Sequence, residues 1–183
     1  MDDKLHLKPY PLIHPTTICL VGTLVNDKPN WTTIGDLAVA GLNPPLVMIS
    51  LHAEHGAMRY IDEHHKLSVN IPTKEMVAKV DFAGIHSSKK LDKSTLFEHH
   101  MEDGLPLIAD APIALLLREL DRIQVKQRVV LVCEVYDTIV DASLVQDGRL
   151  SLEPLKTVLY GLDNLYYTIG DIIGEGYKSG LTK

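Results

Sequence analysis

Hydrophobic and polar positions along the chain predict mainly β-strands. In the first half, β-branched and apolar runs are separated by short turns rich in Asn, Asp, Pro and Gly. Strands that follow one another through short turns are typical of antiparallel pairing rather than of β–α–β units. The strands predicted in this half cover residues 16–25, 31–41, 46–51 and 67–72.

Two helices are expected among these strands. Residues 56–66 carry apolar side chains that can form the inner face of a helix. Residues 73–84 begin at Thr73, a residue type favoured at helix N-caps, and end at a glycine. Residues 91–101 are expected to add another helical turn or two.

The second half of the chain is dominated by two long β-type runs. They cover residues 111–125 and 128–145, and only two residues separate their apolar parts. This arrangement predicts an extended antiparallel pair. A turn at residues 146–148 and two short apolar stretches, at 157–162 and 165–170, follow the pair.

Together these elements predict an α+β fold in a single domain covering residues 1–183. Six or more strands, with the helices placed between the third and the fifth, are typical of a closed or nearly closed antiparallel barrel. With 45% hydrophobic residues, the chain can fill such a core. Cys19 and Cys133 lie in apolar runs, so we expect two core thiols in a reducing cytosol, the alternative being a disulfide or ligand pair.

Charge and the N-terminal sequence limit the partners that we expect. The formal net charge is −6, and the chain has no basic cluster beyond "SSKK", so it is not expected to bind nucleic acid. Residues 1–15 lack the apolar stretch of a signal peptide, and no apolar run approaches the roughly 20 residues that span a bilayer. We therefore expect a cytoplasmic protein with neither nucleic acid nor membrane as a partner.

The stretch "SLHAEHGAMRYIDEHH" at residues 50–65 is the first candidate site. A strand, a polar turn and a helix beginning near Gly56 would leave backbone N–H groups unpaired, and such groups bind anions. Ser50, His52, His55 and Arg59 could add hydrogen bonds or charge. A metal site is the weaker alternative, because the His-x-x-His pair straddles the turn and no HExxH motif exists. Arg59 could instead pair with an acidic residue one helical turn away.

Two further stretches could hold a ligand. The loop "GIHSSKKLDK" at residues 84–93 supplies hydroxyls and lysines, although it could be merely solvated. The stretch "NWTTIGDLAVAGLNPP" is rich in small residues, which suits a flat ligand against the backbone, a sheet packed on another chain, or both. The chain has no GxSxG, GxGxxG or GxxxxGK[ST] motif, but an enzyme that takes its chemistry from a flavin needs none of them.

These stretches, in order and spacing, resemble the flavin reductase-like group of the FMN-binding split barrels, especially the flavoredoxin type. The resemblance runs from about Pro15 to Gly170. It rests on "HPTTICLVGTLVNDKPN", "NWTTIGDLAVAGLNPP", "LVMISLHAEHGAMRYI", "GIHSSKKLDK" and "GLPLIADAP". Each motif is loose, but five in register are fairly specific.

The resemblance implies a homodimer of six-stranded antiparallel split β-barrels, with FMN at the subunit interface. Three groups of residues would bind the cofactor: one along the isoalloxazine and ribityl chain, one at the phosphate turn and one in the second polar loop. In that order they are Thr33, Ile34, Gly35, Asp36, Leu37 and Ala38; Ser50, Leu51, His52, His55 and Ala57; and Ser87, Ser88, Lys89 and Lys93. On this interpretation the turn is a phosphate site, and no metal is expected.

Several positions depart from the family pattern. His55 stands where an arginine is common, Ala57 where a serine or threonine is common, and Ser88 replaces a glycine. A histidine would make phosphate affinity depend on pH, because imidazole is charged only below a pKa near 6.5 unless perturbed. Asp36 occupies a position where a large residue is frequent, and its carboxylate would lower the reduction potential of a nearby flavin.

The expected function is hydride transfer from NADH or NADPH to FMN and electron transfer onward to an acceptor. No side-chain acid or base can be assigned, and hydride transfer requires none. His14 is a candidate for the substrate face, although it could equally be a surface histidine. Two alternatives stay open: a flavoredoxin-type electron carrier without a nicotinamide site, and a flavin-free barrel that serves as an interaction module.

Overall fold

The computed structural model describes residues 4–152 and 154–180, which form a mostly antiparallel β structure with two short helices. The helices are α1 (Met58–His64) and α2 (Val77–Ile85), and 3-10 turns lie at Lys74–Met76 and Ala142–Leu144. The strands are β1 (Thr16–Thr17), β2 (Cys19–Val25), β3 (Lys28–Ile34), β4 (Leu37–Leu42), β5 (Pro45–His52), β6 (Lys66–Ile71), β7 (His99–Glu102), β8 (Leu105–Ile108), β9 (Ile113–Val125), β10 (Arg128–Val140), β11 (Val145–Gln146), β12 (Arg149–Leu150), β13 (Val158–Tyr160) and β14 (Tyr166–Thr168).

The main sheet has seven strands in the order β3-β2-β6-β9-β10-β5-β4, one more than the six expected. The difference arises at residues 31–41, which the sequence predicts as one strand. Gly35 and Asp36 interrupt that run, so that β3 and β4 lie at opposite edges of the sheet. In the described residues no strand pairing joins these two edges, so a closed barrel is not seen in this chain.

The long hairpin has the predicted form. β9 and β10 are 13 residues each and pair antiparallel from Val125↔Arg128 to Ile113↔Val140. Lys126 takes a positive φ of 54°, as the tight two-residue turn requires. The other edge of β10 pairs with β5 and brings Arg128 opposite His52. The hairpin therefore connects the centre of the sheet to the turn that follows β5.

Both predicted helices are present, but the prediction of a third helical segment at residues 91–101 is wrong. Residues 91–98 are irregular, and β7 pairs with β8 instead of continuing a helix. Asp103 and Gly104, both with positive φ, close the hairpin between these strands. This turn and the strand pairing outweigh the weak helical pattern of residues 91–101.

Two apolar layers hold the helices against the sheet. α1 packs through Met58 and Ile61 into a cluster that contains Cys19 and Cys133. Both cysteines are free and buried, and burial raises the pKa of the Cys19 thiol to about 12. No helix in residues 4–152 and 154–180 is long and apolar enough to cross a membrane.

α2 positions the second polar loop. Val80 and Ala83 of this helix are buried in a cluster with Trp31 of β3. The Thr33 hydroxyl also donates a 2.5 Å hydrogen bond to the Val80 carbonyl, which ties α2 to β3. The chain leaving α2 consequently passes beside the turn between β5 and α1.

Candidate functional site

The turn after β5 is internally hydrogen-bonded. The His55 N–H donates to the His52 carbonyl, and the Met58 N–H donates to the His55 carbonyl. The N–H groups of Glu54 and Ala57 lie 3.2 and 3.4 Å from the Nδ1 atoms of His52 and His55. The prediction that this turn offers unpaired backbone donors is therefore wrong for these four groups, and an anion would depend mainly on side chains.

The second polar loop packs directly on this turn. A Cβ atom added at Gly56 would lie 2.1 Å from Ser88 Oγ, so only glycine fits here without movement. Ser88 Oγ is buried and, within the described residues, has no hydrogen-bond partner. Buried hydroxyls normally have partners, so this one is available to a ligand. Ser88, Lys89 and His55 line one cavity of about 570 Å³.

The lining of this cavity is mixed in charge, with Arg59 and Lys89 beside Glu54, Asp62 and Glu63, whereas basic side chains gather around His55. Burial lowers the pKa of His55, and the charges of Lys93, His52, Lys89 and Arg128 lower it further, in that order. These four residues form a basic group around His55. The positive charges around His55 favour an anion there despite the formal net charge of −6.

Lys93 is the buried member of this basic group. Its Nζ atom donates to the Ala83 carbonyl at 3.0 Å and to the His86 carbonyl at 3.1 Å. Burial lowers its pKa to about 8. Because an ammonium group has three N–H bonds and these contacts use two, one donor is left for a ligand.

Arg128 is the residue that the sequence analysis missed. Its Nε donates to Ser50 Oγ and a terminal nitrogen donates to the Ser50 carbonyl, each at 3.1 Å. The same guanidinium forms an ion pair with Asp36. Arg128 thereby joins β5, which precedes the polar turn, to the small-residue stretch. Its position opposite His52 follows from the β5–β10 register, which sequence pattern alone does not give.

The small-residue stretch borders two further cavities. One, of about 540 Å³, lies against Gly35 to Ala38 and reaches Ser50 and Arg128. The other, of about 370 Å³, lies on the side of α2. Thr16, His14, Gly35 and Asp36 line both of them. A flat ligand along this stretch would thus contact both cavities, with the basic group at one end.

Comparison with known proteins identifies the family. Residues 12–164 match the family model of the flavin reductase like domain. The chain belongs to the flavin reductase like domain family. Membership supports a flavin-dependent redox function, in agreement with the resemblance found in the sequence. No curated protein sequence matches the chain significantly.

Solved structures agree with this assignment. The flavoredoxin from Methanosarcina acetivorans is 27% identical, with a TM-score of 0.92 over 97% of both chains. The flavoredoxin of Desulfovibrio vulgaris (Miyazaki F) is 26% identical, with a TM-score of 0.89 over 97% of this chain and 99% of that chain. The FMN-binding protein from Thermus thermophilus, 20% identical with a TM-score of 0.81 over 96% and 99%, shares the fold. The fold is thus the split-barrel, flavin reductase like fold.

Not every residue of the predicted set offers its side chain to a site of this family. Ile34, Leu51 and Ala57 are buried in the apolar core, so only their backbone could face a ligand. Leu37 packs against the same cluster, and the Thr33 hydroxyl is engaged by α2. These positions were predicted from motif spacing, which does not separate side-chain from backbone contacts.

The remaining predicted side chains fall into the two polar segments. Ser50 contacts Arg128, and His52, His55, Ser88, Lys89 and Lys93 belong to the basic group or its cavity. Ser87 caps its own turn, with its Oγ accepting from the Lys89 N–H at 3.3 Å. Arg59 is paired with Glu63 at 3.1 Å, as its solvent-facing alternative predicted.

Proposed function

We propose that the chain is a flavin-dependent oxidoreductase that binds FMN. The observation that carries the proposal is the group of basic side chains around His55, beside a Ser88 hydroxyl that has no hydrogen-bond partner within the described residues. Arg128 joins this group to the small-residue stretch. A phosphate group suits the basic end, and the flat isoalloxazine suits the stretch from Thr33 to Ala38. The residues present therefore fit FMN.

In this proposal the phosphate is held chiefly by side chains. Ser88 Oγ donates one hydrogen bond, and Lys89, Lys93 and Arg128 supply charge. His52, His55, Ser50 and Ser87 complete the surroundings, while Leu51 and Ala57 contribute backbone only. A terminal monophosphate suits one compact basic group around His55, which favours FMN over the longer FAD.

The flavin would supply the redox chemistry, accepting a hydride from NADH or NADPH and passing electrons to an acceptor. The protein's own part is to orient the donor and exclude water. His14 lies at the edge of the ring region, where its Nδ1 is 3.1 Å from the Tyr160 carbonyl oxygen. No proton-transfer role is assigned to it.

A flavoredoxin-type electron carrier without a nicotinamide site is the second candidate. The observation in its favour is the similarity to two flavoredoxins over nearly the whole chain. In such a carrier the same residues would hold FMN, and only the electron donor would differ.

A homodimer with FMN at the interface is part of the proposal. β4 is an edge strand that pairs with β5 alone in the described residues. Its Val39 and Leu42 are 64% and 87% exposed, and Met48 on β5 is 38% exposed. An apolar patch beside the cavities suits burial against a second copy. Completion of a six-stranded barrel in each protomer belongs to the same proposal.

Two broader expectations also remain proposals. One is that residues 1–183 act as a single domain. The other is a cytoplasmic location, for which the two free, buried thiols provide the support.

The deciding experiment is an absorption spectrum of the purified protein followed by titration with FMN. We expect saturable binding, weakened in a Lys89→Met variant and unchanged in Lys90→Met. Lys89 lines the cavity and its charge acts on His55, whereas Lys90, its neighbour in the loop, does not line the cavity. Absence of binding would reject the proposal and favour a flavin-free interaction module. Binding followed by turnover of NADH or NADPH indicates the reductase, whereas binding without turnover indicates the carrier.

A further inference from the structure

The cavity of about 370 Å³ on the α2 side differs in charge from the proposed phosphate site. Its wall beyond the small-residue stretch is formed by Asp81 of α2 and by Tyr160 and Tyr166 of the β13–β14 hairpin. None of these residues takes part in the proposed phosphate contacts. The wall formed by Asp81, Tyr160 and Tyr166 therefore requires its own explanation, beside any ligand that lies along the small-residue stretch.

The charge of this cavity is negative. Among the described residues that line it there are two carboxylates, Asp36 and Asp81, and no lysine or arginine. Arg128 pairs with Asp36 and offsets its charge. Asp81 accepts a 2.8 Å hydrogen bond from the Tyr166 hydroxyl and forms no ion pair within the described part of the chain. Asp81 thus supplies the uncompensated charge.

The tyrosines make the cavity suitable for a flat ring. The rings of Tyr160 and Tyr166 lie 5.2 Å apart between centroids, inclined at 52°. The Tyr160 hydroxyl donates to Asn164 Oδ1 at 2.7 Å, and Tyr166 is held by Asp81, so both rings are fixed. Burial and the Asp81 carboxylate raise the pKa of Tyr166, so its hydroxyl stays protonated. Aromatic faces beside a carboxylate attract cationic rings.

The cavity also has a polar anchor in Thr16. Thr16 Oγ1 is buried, lines the cavity and has no hydrogen-bond partner within the described residues. It can donate to a carbonyl oxygen or accept from an amide N–H of a bound molecule. Leu162, Ile18 and Ile85 provide apolar walls around it.

We propose that this cavity binds a flat, neutral or cationic ring carrying a carbonyl or amide group, that it rejects anionic rings, and that Asp81 sets this selectivity. The inference rests on the proposed function only in treating the ring as the flavin's reaction partner. A nicotinamide fits the description, since its reduced ring is neutral and its oxidised ring is cationic. A ring that carries a carboxylate in place of the amide would be repelled by the negative charge of Asp81.

The test compares three pyridines of nearly equal size: nicotinamide, which is neutral, 1-methylnicotinamide, a cation, and nicotinate, an anion. Each is titrated into the protein at pH 8 with and without FMN, and binding is read from protein NMR shifts. We expect the cation to bind about five- to tenfold more tightly than nicotinate, because the exposed Asp81 carboxylate attracts one ring and repels the other through screening solvent. Equal binding of cation and anion would overturn the inference.

Variants assign the effect to Asp81. In Asp81→Asn we expect the cation-to-anion ratio to fall towards one, while Asp171→Asn, which changes an exposed carboxylate outside the cavity, keeps the wild-type ratio. An unchanged ratio in Asp81→Asn would contradict the proposal. If that variant does not fold, Tyr166→Phe serves instead. It leaves the carboxylate in place, so the preference for the cation must persist, and its loss would count against Asp81.

The two proposals can fail separately. If FMN binds but the three pyridines bind alike, the cavity inference is wrong and the flavin proposal stands. If FMN does not bind but the cation preference is present and depends on Asp81, the flavin proposal is wrong and the cavity still selects by charge.

Discussion

Lys93 should make FMN binding depend on pH in the alkaline range. Its pKa of about 8 means that the side chain is mostly charged at pH 7 and mostly neutral at pH 9. A bound phosphate favours the charged form and would return the pKa towards the ordinary value of about 10.4. Affinity is therefore highest below pH 8 and falls as the pH rises through 8.

The magnitude follows from the two pKa values. With a pKa of about 8 in the free protein, and about 10.4 in the complex, the FMN dissociation constant should rise about tenfold between pH 7 and pH 9. In the free protein His55 is neutral in this window, because burial and the nearby positive charges lower its pKa from 6.5. The phosphate itself is already a dianion above pH 7.

The assay is a titration of flavin fluorescence quenching at both pH values. Wild type and Lys90→Met, which alters an exposed lysine of the same loop, should show the tenfold change. Lys93→Met should bind more weakly at pH 7 and show almost no change up to pH 9. Thermal unfolding at each pH confirms that the variants are folded. A tenfold change that persists in Lys93→Met would refute this account of the phosphate site.

Three further outcomes are expected. Gly56→Ala should destabilise the fold by about 1 kcal/mol, because its Cβ would force Ser88 Oγ into another rotamer, whereas Gly170→Ala, with nothing within 4 Å, should leave the melting temperature unchanged. Equal melting temperatures of the two variants would contradict the packing described. Arg128→Met should lower the flavin potential by about 30 mV, the two-electron equivalent of about 1.4 kcal/mol, by leaving the Asp36 carboxylate unpaired, and Asp36→Asn should raise the potential. If both variants shift the flavin potential in the same direction in a spectroelectrochemical titration, this pairing effect is excluded. Met48→Lys should dissociate the proposed dimer in analytical ultracentrifugation and weaken FMN binding; an intact dimer would place the interface elsewhere.

Elements with strong local patterns could be predicted from the sequence. The β9–β10 hairpin follows from two long β-branched runs and a two-residue gap, and the structure confirms it. Residues 91–101 have a weak pattern, and there the positive-φ turn at Asp103 and Gly104 decided the outcome. The interruption at Gly35 and Asp36 could not be predicted from the sequence pattern either, because both flanking segments favour strands and only their pairing partners differ.

The candidate site could be predicted in part. Motif spacing found the turn after β5 and the loop after α2, but not that they touch at Gly56 and Ser88. Helix rules suggested free N–H donors, whereas histidine Nδ1 atoms and local carbonyls accept from most of them. The role of Arg128 could not be predicted because it depends on the register across three strands, and register is a property of the assembled sheet.

The network around Arg128 has a consequence for when the site can form during synthesis. Arg128 is 78 residues from Ser50 and 92 from Asp36 along the chain, and its strand is held between β5 and β9. A nascent chain that has emerged only as far as β8 already contains the polar turn and the loop after α2. It lacks the guanidinium that joins Ser50 to Asp36. Cofactor uptake is consequently expected only after β9 and β10 have left the ribosome and paired, which couples loading to completed folding.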